Sequence, residues 1–247
     1  MPKSYTRAET IEIISNAAKN MPTFYRANVI NYGSITSDTR EYYTEIVAGW
    51  LLEHMDYLTN AHIPVITRKS SYKSSERNGT TANSTSNRIE ERIALDVKRN
   101  GTVTSLGTIL DYQTPLKNKR GDDAGKIDIL SFDDEGSLRI LELKKPGSKE
   151  TLLRCVLEGY TYLLTVAKDK LLEDFNVHNC KKIQACPLFF KDSRQFVEYE
   201  QMISGNRPNL RALIKKLDEA LFLLSENGTD ADQYGSYKKY FSDFLNC

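Results

Sequence analysis

The chain has 247 residues, of which 40% are hydrophobic and 27% charged, the balance of an ordinary globular protein with a sizeable core. A formal net charge of +1 excludes a protein that is basic throughout, so any site for a polyanion must come from local clusters of Lys and Arg. No apolar run approaches the roughly 18 residues that cross a bilayer, and Met1-Pro2-Lys3-Ser4-Tyr5 leads into a polar stretch without a signal-peptide core, so no membrane contact is expected and the default location is the cytoplasm.

Ile11, Ile14, Ala17 and Ala18 recur at helical spacing over residues 7–19. A longer helix follows Asp38, with Tyr43, Ile46, Val47, Trp50, Leu51, Met55 and Leu58 on one stripe. Both read as packing elements without chemistry of their own. From Arg68 to Arg88 the pattern dissolves into Ser, Thr, Asn and Gly, with Arg68, Lys69, Lys73, Arg77 and Arg88 set against Glu76 alone. Two readings stay open: a mobile surface loop, or a basic arm that orders on a phosphate backbone.

A helix then starts near Ser86 or Asn87 and runs through Ile89, Ile93, Ala94 and Val97. Strand patterns follow at 106–113, 125–132 and 137–145. The next helix has Ser148 as its expected N-cap and an apolar face of Leu152, Leu153, Val156, Leu157, Tyr160 and Leu164; a further strand fits Ile183 to Phe190. Leu210, Leu213, Ile214, Leu217 and Leu221 mark a C-terminal amphipathic helix. Helix, three strands, helix, strand argues for an α/β core with an antiparallel hairpin, and against regular strand–helix alternation.

Cys155, Cys180, Cys186 and Cys247 form no Cys-x-x-Cys pair, and three histidines give a zinc site little support, so reduced thiols are expected.

The chemistry concentrates around residues 125–145. Side chains alternate along a strand, so Glu142 and Lys144 share one face while Leu141 and Leu143 pack on the other. If Asp134-Glu135-Gly136 forms a three-residue loop with Gly136 left-handed, Asp133 faces Ser137 and the register carries Asp128 opposite Glu142. A two-residue loop would put the two acids on opposite faces. Neighbouring carboxylates repel unless a divalent cation neutralises them. Asp96-Val97-Lys98 repeats the acid-x-Lys triplet, but inside a helix and without an upstream Asp.

Asp128, thirteen residues, then Glu142-Leu143-Lys144 on adjacent strands after a helix resembles the PD-(D/E)XK nuclease superfamily over roughly residues 87–190. The Pro usual before the first acid is replaced by Ile127. The resemblance implies a restriction-endonuclease-like α-β-β-β-α-β core with a mixed sheet. Residues 1–66 would form an N-terminal helical element packed on it, 67–86 a flexible basic loop and 191–247 a C-terminal helical element.

It also implies a metal-dependent phosphodiesterase that cuts DNA in preference to RNA, and it is compatible with a homodimer. Mg²⁺ or Mn²⁺ would sit on Asp128, Glu142 and the Leu143 carbonyl, and Lys144 would orient water or stabilise charge on the phosphate. Many relatives add a Glu from the preceding helix. Glu90 and Glu91 both qualify, and the helical wheel favours Glu90, directly or through water. Some branches carry a Gln and a Tyr in the following helix; here Tyr160 is present and Cys155 stands near the Gln position.

Lys117, Lys126, Lys145, Arg154 and Arg88 are the candidate nucleic-acid contacts, and Asp111 is a minor candidate ligand. Two other readings compete: a catalytically silent binding module on the same fold, and an interaction protein whose acids only form salt bridges.

Overall fold

The computed structural model describes residues 4–74, 86–118, 122, 124–225 and 231–234; the side chains of 86–88 and 232–234 lie outside that description. Two helices, α1 (Arg7–Ala17) and α2 (Tyr43–Glu53), are joined by short 3₁₀ turns. Thr6 and Glu9 close the N-terminus of α1 as a reciprocal capping box. The second helix stops at Glu53, short of Met55 and Leu58, because His54 leaves the helical region and begins a single tight turn.

The middle of the chain runs α3 (Ser86–Asn100), β1 (Thr102–Val103), β2 (Gly107–Pro115), β3 (Lys126–Phe132), β4 (Ser137–Leu143), α4 (Leu152–Thr165), α5 (Lys168–Asp174) and β5 (Lys182–Phe189). Then come α6 (Arg194–Ile203), α7 (Pro208–Leu217), β6 (Leu221–Leu224) and β7 (Ala231–Tyr234). Among the described residues the strands form one seven-stranded sheet in chain order. Neighbours are antiparallel from β1 to β4, parallel from β4 through β6, and antiparallel again at β7. The fold is thus α/β with a mixed sheet.

Three expectations need correction. Helix α7 ends at Leu217, because Asp218 adopts the left-handed conformation (φ 58°), and Leu221 opens a strand instead of extending the helix. The tail therefore adds strands as well as helices. Helix α4 is capped by Thr151, whose hydroxyl accepts from the Arg154 amide at 3.2 Å, and not by Ser148. Ser148 instead accepts from Gln195 at 3.2 Å. The basic segment is anchored where it begins: Tyr72 is fully buried and its hydroxyl donates to Ile66 O, Arg68 donates to Lys117 O, and the Ser74 hydroxyl donates to Asp111. Residues 75–85 lie outside the described residues.

The β3–β4 hairpin takes the three-residue loop. The Asp133 amide donates to Ser137 O, Gly136 has φ +90°, and the register pairs Ile129 with Leu141 and Leu130 with Ile140. One more step puts Asp128 opposite Glu142. A side chain at Gly136 would also meet Asn179 O at 2.9 Å, so this corner requires glycine twice over.

Two apolar clusters flank the sheet. Leu138 and Ile140 of β4 pack with α4, α7 and the N-terminal helices, so residues 1–66 share the main core. Ile129, Leu141 and Leu143 turn to the opposite side, against Ala94 and Val97 of α3. The face left for Asp128, Glu142 and Lys144 is therefore the α4 face. All three described cysteines are free. Among the described residues no helix is long and apolar enough to cross a membrane.

Candidate active site

Strand pairing sets a row of polar side chains across three strands. Tyr112 pairs with Ile129 and Thr114 with Ile127, so Gln113 stands opposite Asp128, which stands opposite Glu142. The Gln113 amide donates to Asp128 Oδ1 at 2.8 Å, and the Leu143 backbone amide donates to Asp128 Oδ2 at 2.9 Å. Lys144 N donates to Leu188 O on the β5 side at 2.8 Å. Alternation along β4 then turns both the amide and the carbonyl of Leu143 toward Asp128.

Lys144 is the centre of charge. Its Nζ lies 2.7 Å from Glu142 Oε1, 2.9 Å from Glu158 Oε2 and 3.0 Å from Glu150 Oε2. Burial opposes its charge, but Glu142, Glu158 and Glu150 outweigh burial and hold its pKa well above a free lysine's. Burial, joined by Asp128 and Glu158, lifts the Glu142 carboxyl well above the usual range. Burial also works against charge on Glu158, but Lys144 and the Tyr162 hydroxyl, which donates to Oε1 at 2.9 Å, bring its pKa below the usual value.

These groups surround a cavity of about 300 Å³ whose lining carries five carboxylates (Glu90, Asp128, Glu142, Glu150, Glu158) against three cations (Lys126, Lys144, Arg154). Glu90 reaches it from the first turns of α3, and its Oε1 accepts from the Lys145 amide at 3.2 Å. Burial raises its pKa as well. The wheel reading of Glu90 thus agrees with its position, whereas Glu91 does not line the cavity.

Of the expected nucleic-acid contacts, Lys126 and Arg154 line the cavity. Lys145 adjoins it through its backbone, while Lys117 is not in the lining and offers its carbonyl to Arg68. The side chain of Arg88 lies outside the described residues. Asp111 is occupied elsewhere: it accepts from Ser74 N, Ser74 Oγ and Thr114 Oγ1, a structural anchor for the segment before α3.

The tyrosine at the site is Tyr162, not Tyr160. Arg154, Glu158 and Tyr162 follow each other at four-residue intervals along α4 and form one polar stripe, which Tyr160 cannot join. Cys155 is buried beneath that stripe and donates weakly to Glu142 O at 3.5 Å. Gln113, Glu150, Glu158 and Tyr162 are the members that pattern reading passed over. The spacing of the last two from Arg154 was the available signal.

The donor set suits a hard divalent cation in kind: two carboxylates facing each other across a hairpin, a carbonyl beside them, and excess negative charge. Among the described residues, no group of three or more His, Cys, Asp or Glu side chains is arranged to hold a metal ion, since Lys144 already draws three of the carboxylates to itself. Within the set, Asp128 and Glu142 face each other across the hairpin, with Gln113 and the Leu143 amide donating to Asp128 and Lys144 donating to Glu142.

Burial pushes the Asp128 carboxyl up to about 7, against the opposing pull of Lys144 and the Leu143 amide. An acid whose pKa rises on folding favours the folded state while protonated. Its contribution is complete below about pH 4 and is lost as pH climbs to about 7. Without divalent ions, the stability difference between wild type and Asp128→Asn should therefore change by roughly 2–4 kcal/mol across that window, in favour of the variant at the higher pH. Urea titrations at pH 4.5 and 7.5 measure it. An unchanged difference would mean that Asp128 is solvated. Because both Asp128 oxygens accept, Asn turns one donor against another, which sets the variant's baseline lower at both pH values.

No protein-family model, no curated protein and no solved structure matches the chain.

Proposed function

We propose that the protein is a metal-dependent nuclease that hydrolyses phosphodiester bonds, DNA in preference to RNA. The observation that carries this reading is the convergence of Asp128, Glu142, Lys144 and Glu90 on one polar cavity, from two strands and a preceding helix. The succession α3, β2, β3, β4, α4, β5 supports a restriction-endonuclease-like core, to which β1, α5, β6 and β7 are additions.

Asp128, Glu142 and the Leu143 carbonyl would hold Mg²⁺ or Mn²⁺, with Glu90 contributing directly or through water. When bound, the ion supplies an activated water and polarises the phosphoryl oxygen. The chain's own part is positional and electrostatic. Gln113 and the Leu143 amide fix the Asp128 carboxylate. Lys144, held charged by its acidic neighbours, offers an ammonium to the charge that develops on the phosphate. Lys126 and Arg154 at the rim attract the backbone.

The test is incubation of purified protein with supercoiled DNA, linear DNA and RNA in Mg²⁺ or Mn²⁺, with and without chelator. Cleavage should require the ion and vanish in Glu142→Ala. Mn²⁺ should also raise the thermal midpoint of the wild type but not of that variant. Equal behaviour of the two proteins in both assays would sink the reading. Retained DNA binding without any response to divalent ions would favour a silent binding module instead.

A further inference from the structure

Glu150 differs from the other two acids on Lys144. Its side chain is the most exposed of the three, at 31%, against 5% for Glu142 and 13% for Glu158. Glu158 has a second anchor in Tyr162, and Glu142 is held between β3 and α4. The Glu150 carboxylate instead spans two cations with its two oxygens: Oε2 is 3.0 Å from Lys144 Nζ and Oε1 is 3.3 Å from Arg154 Nε. The second contact is charge proximity without an aligned hydrogen bond, and Arg154 Nε is buried without a hydrogen-bond partner. One anion thus bridges a buried ammonium and a guanidinium whose Nε–H is not used in a hydrogen bond.

We infer that Lys144 and Arg154 form the seat for a substrate phosphate group, and that Glu150 occupies this seat as an internal anion until substrate displaces it. The inference rests on the nuclease reading and adds a residue that controls affinity for the scissile or adjacent phosphate. A tetrahedral phosphate offers oxygens in more directions than a carboxylate and satisfies Arg154 as well as Lys144. Glu150 can withdraw cheaply. Its carbonyl stays fixed by Gln195 at 2.8 Å, it stands just before the Thr151 cap, and side-chain rotation alone frees both cations. The exchange replaces one anion by another, so Lys144 never faces Glu142 and Glu158 as a bare cation without its third partner.

The experiment uses the full chain without divalent ions and measures binding of inorganic phosphate by calorimetry. Glu150→Gln keeps the shape and removes the competing charge, so it should bind phosphate about tenfold more tightly than wild type, the scale of one charge-assisted contact. Adding Arg154→Ala should abolish that gain, and Arg154→Ala alone should weaken binding below wild type. Single-stranded oligothymidylate should show the same gain in Glu150→Gln. Failure of Glu150→Gln to bind phosphate better, or a gain that persists without Arg154, overturns the seat. A gain for phosphate and none for oligothymidylate overturns its assignment to a nucleic-acid backbone. Cleavage assayed in parallel separates the two proposals: an active wild type with no phosphate gain in Glu150→Gln sinks only the seat, while the full binding pattern without cleavage by the wild type sinks only the nuclease.

Discussion

Replacing Lys144 by Met should lower metal-dependent cleavage at least about 10³-fold and, separately, cost roughly 3–5 kcal/mol of stability at pH 8. The two losses have different causes. On the proposed reading, catalysis would lose the ammonium that meets developing charge on the phosphate. Stability suffers because three carboxylates within 3.0 Å of Nζ lose the cation they share. Removing one partner of a buried ion pair leaves the other uncompensated, and here the uncompensated side is threefold.

The pH dependence follows from the same charges. In the variant, Glu142 and Glu158 bind protons more readily once Lys144 is gone, so the penalty should shrink as pH falls from 8 toward 5. Urea unfolding at both pH values, beside cleavage rates at pH 8, tests the pair of effects. A variant that loses activity with no change in unfolding midpoint would show that Lys144 is not the hub of the cluster. One that loses stability but cleaves normally would remove Lys144 from the chemistry.

How much of this was legible beforehand divides along physical lines. The hairpin was legible because its determinant is local: Gly136 selects the loop, the loop selects the register, and the register places Asp128 opposite Glu142. Glu90 was legible because a helical wheel fixes faces over a few residues. Gln113 was not, since its place opposite Asp128 depends on a register shift in β2 between Ile109 and Asp111 and on its own φ of 51°. Neither departure has a side-chain signature. Glu150 sits in a loop, where no period applies. Leu221 misled because it continues the spacing of Leu210, Leu213, Ile214 and Leu217, and only the left-handed turn at Asp218 ends the helix. Tyr160 misled similarly, being a tyrosine in the right helix but off the stripe that Arg154 and Glu158 define.

Glu142→Gln provides the sharper result, because its two effects should have opposite signs. On the proposed reading, cleavage should fall by about 10³-fold or more, as the substitution would remove a carboxylate that would hold the metal. Stability without metal should nevertheless rise at pH 8, because the substitution relieves the crowding of carboxylates that raises the Glu142 pKa. Burial, Asp128 and Glu158 all raise the Glu142 pKa, so this carboxyl gives up its proton less readily in the fold than in the unfolded chain. That difference costs stability at neutral and alkaline pH and vanishes below about pH 4. Gln keeps an oxygen for Lys144, which retains Glu158 and Glu150 as counter-charges.

A salt-bridge network evolved for stability predicts the reverse, a loss on removing a carboxylate 2.7 Å from a buried ammonium. Urea titrations of wild type and Glu142→Gln at pH 8 and pH 4, without divalent ions, therefore choose between a catalytic cluster and a structural one, independently of any substrate. Destabilisation at pH 8 would favour the structural reading. Stabilisation at pH 8 that disappears at pH 4 is the mark of carboxylates crowded together at a cost to the fold, an arrangement that a divalent cation would offset.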